Sequence, residues 1–188
     1  MTQGSSTGSQ ENGYHEPVLA TEVVEVFKPL TSGVVVDATF GGGGHTRRLL
    51  EEMARGISII GIDRDPDALA NVTRLAGPLA GVRVIEGNFR DLRPLLVAEG
   101  VEAPVGFLFD LGVSSHQLEE PSRGFSYRRE GPLDMRMGDD TDLTADEIVN
   151  RWEESRLASL IRRFGEESMA GRIARAIVDA RPITTTEH

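Results

Sequence analysis

Val34-Val35-Val36-Asp37-Ala38-Thr39-Phe40-Gly41-Gly42-Gly43-Gly44-His45-Thr46 is the stretch on which the fold turns. Its three consecutive β-branched residues read as a strand buried on both faces, as strands of a parallel sheet do. The strand closes on an acid, Asp37, and runs into the glycines. From Thr46 to Arg55, Leu49, Leu50, Met53 and Ala54 form one apolar stripe at helical spacing, and Gly56 is placed to end the helix. A glycine turn between strand and helix lets a ligand approach the backbone. The helix N-terminus is then open to polar or anionic groups.

The alternation continues downstream. Ile57 to Ile62 reads as a second buried strand closing on Asp63, and Asp65 can cap a helix beginning at Pro66. Val82 to Glu86 reads as a third strand, followed by the turn Gly87-Asn88-Phe89 and a short helix from Asp91 to Ala98. Val105 to Phe109 reads as a fourth strand ending at Asp110-Leu111-Gly112. Strands alternating with helices predict an open, parallel α/β layer with its ligand at the strands' C-terminal ends. Asp37, Asp63, Phe89 and Asp110 all fall at or just after those ends. Beyond Asp110, Gly112 to Gly138 is rich in turn formers without a clear period. Asp142 to Val149, Glu154 to Phe164 and Ser168 to Ala180 read as helices of a small insertion. Thr184-Thr185-Thr186 reads as the capping start of a further helix.

Composition bounds the function. Of 188 residues, 39% are hydrophobic and 27% charged, which suits a soluble globular domain. No apolar run approaches the roughly 20 residues needed to span a bilayer. The absence of cysteine excludes disulfides, thiolate metal sites and a Cys nucleophile, and fits a cytoplasmic protein. No metal-ligand spacing joins the four histidines. The net charge of −10 argues against a polyanionic partner, but Arg123, Arg128, Arg129 and Arg136 lie close together in sequence, and Arg suits phosphate and base recognition. The bland alternative is a solvated Arg-rich surface. Residues 1–13 read as a disordered tail.

The acids sharpen the glycine signal. Asp37, four residues before Gly41, would repel a pyrophosphate and suit the cationic methionine end of S-adenosylmethionine. Asp63 is placed to accept both ribose hydroxyls. Phe89 would cover an adenine face or pack in the core. Asp110 would lie beside a methyl donor or serve only as a structural acid. His45 would pair with a cofactor carboxylate or pack at the helix start. A nicotinamide oxidoreductase on the same layer is a rival, weakened by Asp37 and by the irregular glycine spacing. A non-catalytic RNA-binding module is a second, and a methyltransferase acting on DNA or protein a third.

Tyr14-His15-Glu16-Pro17-Val18-Leu19, Asp37 to Thr46 and Ile62-Asp63-Arg64-Asp65-Pro66 resemble the opening of the ribosomal RNA small subunit methyltransferase H family, also called MraW. So do Asp110-Leu111-Gly112-Val113-Ser114-Ser115-His116-Gln117-Leu118, Arg123-Gly124-Phe125-Ser126-Tyr127 and Gly131-Pro132-Leu133-Asp134-Met135-Arg136-Met137. The resemblance runs from Tyr14 to the end, with Gly42 and His116 as departures. It implies a Rossmann-like class I S-adenosylmethionine-dependent methyltransferase with an open parallel sheet and a small helical insertion domain. It divides the chain into a methyltransferase core over 14–118 and a loop and insertion domain over 119–188, incomplete at the C-terminus. The implied activity is N4-methylation of a cytidine in the decoding region of small-subunit rRNA, with rRNA or the 30S subunit as partner. Cofactor contacts are implied at Gly43, Gly44, His45, Asp63, Phe89, Asp110 and Gln117, beside Asp37 and Gly41 from the glycine segment itself. Asp110 is the candidate catalytic acceptor or a cofactor-holding acid. The four arginines are candidates for RNA phosphates.

Overall fold

The computed structural model describes residues 17–74 and 82–188, with only the backbone for 71–74. The tail and Tyr14-His15-Glu16 lie outside the described residues. Four parallel strands form one sheet: β1 (Ser32–Asp37), β2 (Gly56–Asp63), β3 (Arg83–Glu86) and β4 (Gly106–Leu108), in the order β3-β2-β1-β4. The helices α1 (Ala20–Phe27), α2 (Gly44–Glu52), α3 (Pro66–Arg74), α4 (Leu92–Ala98), α5 (Ser115–Glu119), α6 (Ala145–Arg151), α7 (Glu154–Gly165) and α8 (Ala170–Asp179) complete the order.

The sheet is covered on both faces, which is why its strands are apolar runs. Val35, Ile59 and Leu108 pack with Val24 and Phe27 of α1 and Leu49 of α2 on one face. Val36, Ile60 and Ile62 pack with Leu96 of α4 on the other. Neighbouring valines of β1 thus serve opposite cores, as a period of two requires. The expected strands and the helices α2, α3 and α4 all form, with ends shifted by a few residues.

Three expectations need correction. Residues 20–27 had no expected element, yet Ala20, Val24 and Phe27 bury one helical stripe; three valines in eight residues blur that period toward strand. The region after Asp110 holds a short helix, α5, because Ser114 and Gln117 close a capping box: Ser114 Oγ accepts from Gln117 N at 3.1 Å and Gln117 Oε1 accepts from Ser114 N at 2.9 Å. Residues 184–188 start no helix. Thr186 instead returns to the loop near Gly131, its N–H donating to Gly131 O at 3.0 Å and its hydroxyl accepting from Gly131 N at 3.1 Å.

β1 is the switch point of the layer. The chain leaves it outward through β2 and β3, then returns to its other side for β4. Loops on either side of such a point diverge and leave a crevice at the strands' C-terminal ends. Residues 38–46 and 109–117 flank that crevice.

Candidate cofactor and methyl-transfer site

Gly41 and Gly43 adopt φ of +52° and +71°, backbone conformations that cost other residues about 1–2 kcal/mol. The turn is pinned on three sides. Gly41 N donates to Asp63 Oδ2 at 2.6 Å, Phe40 N to Ile62 O at 3.0 Å, and Gly43 N to Phe40 O at 2.8 Å. Gly43 caps α2 without any side chain, so the first N–H groups of that helix stay open to a ligand. Gly44 opens α2 itself.

Asp37 lies beneath this turn. It is 1% exposed. Its Oδ2 accepts the Thr46 hydroxyl at 2.7 Å and its Oδ1 the Thr39 N–H at 3.4 Å. Burial pushes its carboxyl up to about 6, against the lowering pull of those bonds. These bonds let Asp37 hold the turn from below.

Asp63 ends β2 half-buried, its Oδ1 accepting from Asp65 N at 2.9 Å and its Oδ2 from Gly41 N. A carboxylate offers about four lone-pair sites, so two remain for a ligand's hydroxyls. Phe89, 40% exposed, stands edge-on to Phe109 with ring centroids 5.8 Å apart. Phe107 stacks on Phe109 at 6.3 Å. Phe107 of β4 and Phe109 just after it stand two residues apart, and that alternate spacing is the signal the sequence offers.

Asp110 follows β4, with its side chain 52% exposed. Its N–H donates to Thr39 Oγ1 at 2.7 Å, tying the loop after β4 to the loop after β1. His45 is buried, its Nε2 3.4 Å from Asp110 Oδ2 and its Nδ1 without a partner. The glycine turn, Asp63, His45 and Asp110 thus meet around the switch point.

Gln117 lies in α5. It is 6% exposed, with Oε1 engaged in the capping box and Nε2 donating to Asp65 Oδ2 at 2.6 Å. Arg123 is likewise committed, its Nη1 2.9 Å from Asp65 Oδ1 and 2.6 Å from Asp67 Oδ2. Burial pushes Asp65 up, and the Arg123 and Gln117 bonds reverse it, leaving its carboxyl below the usual range. Arg136 forks onto Asp134, with Nη2 to Oδ2 at 2.7 Å and Nε to Oδ1 at 3.0 Å. Of the four candidate arginines, Arg128 and Arg129 are exposed, Arg129 donating to Glu119 O at 2.7 Å, while Arg123 and Arg136 are held by acids.

Asp140 was not singled out by sequence. It accepts from Asn88 Nδ2 at 2.8 Å, Arg90 Nη2 at 3.1 Å and Arg64 Nη1 at 3.3 Å. These bonds seat the 138–140 loop over the ends of β2 and β3. Beneath it lies a cavity of about 190 Å³ lined by Arg64, Glu86, Gly87, Asn88, Asp139 and Asp140.

The positive-φ glycine cradle, the open helix N-terminus, the spare acceptors of Asp63 and the orphaned Nδ1 of His45 fit a polar, nucleoside-bearing cofactor. Parallel layer and site together define a Rossmann-like α/β fold with a polar crevice at its switch point. The chain belongs to the MraW methylase family, whose model matches residues 12–188. It is 49% identical over 188 residues to the ribosomal RNA small subunit methyltransferase H of Deinococcus radiodurans, covering 98% of this chain and 58% of that one. The protein of the same name from Granulibacter bethesdensis is 44% identical over 97% of this chain and 55% of its own. The chain thus spans a little over half the length of these curated relatives. Among solved structures, a putative rRNA methylase from Clostridium thermocellum aligns over 50% of each chain at 23% identity and a TM-score of 0.41.

Proposed function

We infer that the protein methylates N4 of a cytidine in the decoding region of small-subunit rRNA, using S-adenosylmethionine, in the cytoplasm. The observation that carries this reading is the placement of Asp110 at the switch point, beside the glycine turn of a chain from this family. The relatives' shared name supports the substrate class. Among the described residues no helix is long and apolar enough to cross a membrane.

S-adenosylmethionine, when bound, supplies an electrophilic methyl group. Gly41, Gly43 and Gly44 would give it a backbone surface, Asp63 would accept its ribose hydroxyls, and Phe89 would cover its base. His45 would offer Nδ1 to its polar end. Asp37 fixes the turn from below, and Gln117 acts at one remove through the 114–117 cap. The cytosine amine is conjugated with its ring, so its lone pair is poorly available. Asp110 accepts one amine hydrogen at its carboxylate, which favours pyramidal nitrogen and directs the lone pair. The target base must be unstacked to reach this carboxylate. Arg128 and Arg129 take RNA phosphates, and residues 119–188 act as the insertion that presents them. Positioning then supplies most of the rate.

The test is transfer of labelled methyl groups to small-subunit rRNA and to 30S subunits, with the modified nucleotide mapped. The reading expects one modified cytidine, retained affinity for S-adenosylmethionine in Asp110→Ala, and turnover reduced by roughly 10²-fold or more through loss of the acceptor. Methyl groups appearing only on protein or DNA would contradict it.

A further inference from the structure

One buried carboxylate gathers the polar groups of the loop that begins at Asp110. Asp65 is 5% exposed, although it opens a surface helix. It accepts from Gln117 Nε2 at 2.6 Å, Arg123 Nη1 at 2.9 Å and Asp67 N at 3.0 Å. Through Gln117 it holds the start of the loop, because the other end of that amide caps α5 at Ser114. Through Arg123 it holds the far end, because Nη2 donates to Arg136 O at 3.1 Å. On its other side the Asp65 N–H donates to Asp63 Oδ1, whose carboxylate holds Gly41 N. A continuous series of bonds therefore runs from the glycine turn through Asp63 and Asp65 to residues 114–136.

The junction is not surface decoration. Its side chains are mostly withdrawn from water, where removing one partner leaves an uncompensated charge. Nor does the function above require it: Asp65 reaches neither the glycine cradle nor Asp110. A simple cap for α3 would need only the Asp67 N–H, not an amide and a guanidinium brought from more than fifty positions away.

We propose that Asp65 is a positioning residue that, through Gln117 and Arg123, sets the Asp110 loop in register with the turn carrying Gly41 and Asp63. This rests on the methyltransferase reading and adds to it a residue that touches neither cofactor nor acceptor. It also removes Arg123 from the RNA-binding set.

The experiment compares the intact protein with Asp65→Asn, Arg123→Lys, Arg123→Ala and the Asp65→Asn/Arg123→Ala double variant. It measures kcat and KM for methyl transfer to small-subunit rRNA, and RNA affinity against salt. Misplacement of a reacting group by about 1 Å costs on the order of 100-fold, so Asp65→Asn and Arg123→Ala should lose kcat on that scale with KM for RNA little changed. Arg123→Lys keeps the charge without the fork and should fall between. The double variant should be no worse than the weaker single one, since both break one junction. The salt slope of RNA binding should match wild type in every variant. Full kcat with only a lower melting temperature would overturn the proposal, as would a slope lowered by about one with raised KM, which marks a phosphate contact. If Arg123→Ala does not fold, Arg123→Lys carries the same comparison. An inactive wild type would sink the functional reading and this inference together; an active wild type with fully active variants would sink this inference alone.

Discussion

Replacing Asp37 by Asn should stabilise the protein at neutral pH, although it deletes a buried hydrogen-bonding charge. Burial pushes the Asp37 carboxyl from 3.8 to about 6. Across that window the folded state binds a proton that the unfolded state has released, so stability falls as pH rises. The penalty is absent below 3.8 and complete above 6. A shift of this size corresponds to about 3 kcal/mol. Asn keeps an acceptor for the Thr46 hydroxyl, while the longer bond from Thr39 N is lost at a cost of about 1 kcal/mol. Asp37→Asn should then exceed wild type by about 2 kcal/mol at pH 7, and that advantage should fall to nothing near about pH 4.5 and reverse below it, toward the roughly 1 kcal/mol cost of the lost bond. Urea unfolding of both proteins from pH 4.5 to 7.5 measures the difference, and the subtraction removes carboxylates common to both. A variant less stable than wild type by a constant amount at every pH would refute the reasoning, because it would mean that Asp37 ionises without a desolvation cost.

Other expectations are more local. Gly61→Ala would drive a methyl group into the Phe40 ring and should cost about 1–3 kcal/mol in chemical denaturation. Phe89→Ala should cost about 1–2 kcal/mol, since the ring is 40% exposed and packs edge-on to Phe109, and should weaken S-adenosylmethionine binding by roughly 2- to 10-fold in calorimetry. Arg128→Ala should lower the salt slope of rRNA binding by about one without altering cofactor affinity.

Much of this architecture is legible in the sequence because burial on both faces leaves a direct mark. Val34-Val35-Val36 is continuously apolar, and Ile57 to Ile62 nearly so around Ser58, since alternate residues serve opposite cores. Acids at the strand ends stand out against those runs, and so Asp37, Asp63 and Asp110 were found. Depth was not legible. Nothing local distinguishes Asp63, which faces the crevice, from Asp37, which sits under the turn against Thr46. The Asp65 junction was missed for a different reason: its partners Gln117 and Arg123 lie 52 and 58 residues away, and no periodicity links groups at such separations. The same holds for Asp140, which meets Asn88 across 52 residues. Arginines read as a basic patch became internal ties once the fold brought acids to them. Helix α5 was hidden because five residues are too few for an apolar period, although Ser114 and Gln117 carried the capping signal.

The central claim is that the glycine turn and Asp63 form a site for S-adenosylmethionine, and calorimetric titration tests it most directly. Wild type should bind saturably, and Asp63→Ala should lose that binding while keeping its circular dichroism spectrum. A folded wild type that binds no S-adenosylmethionine, or an Asp63→Ala variant that binds it as well as wild type, would contradict the account.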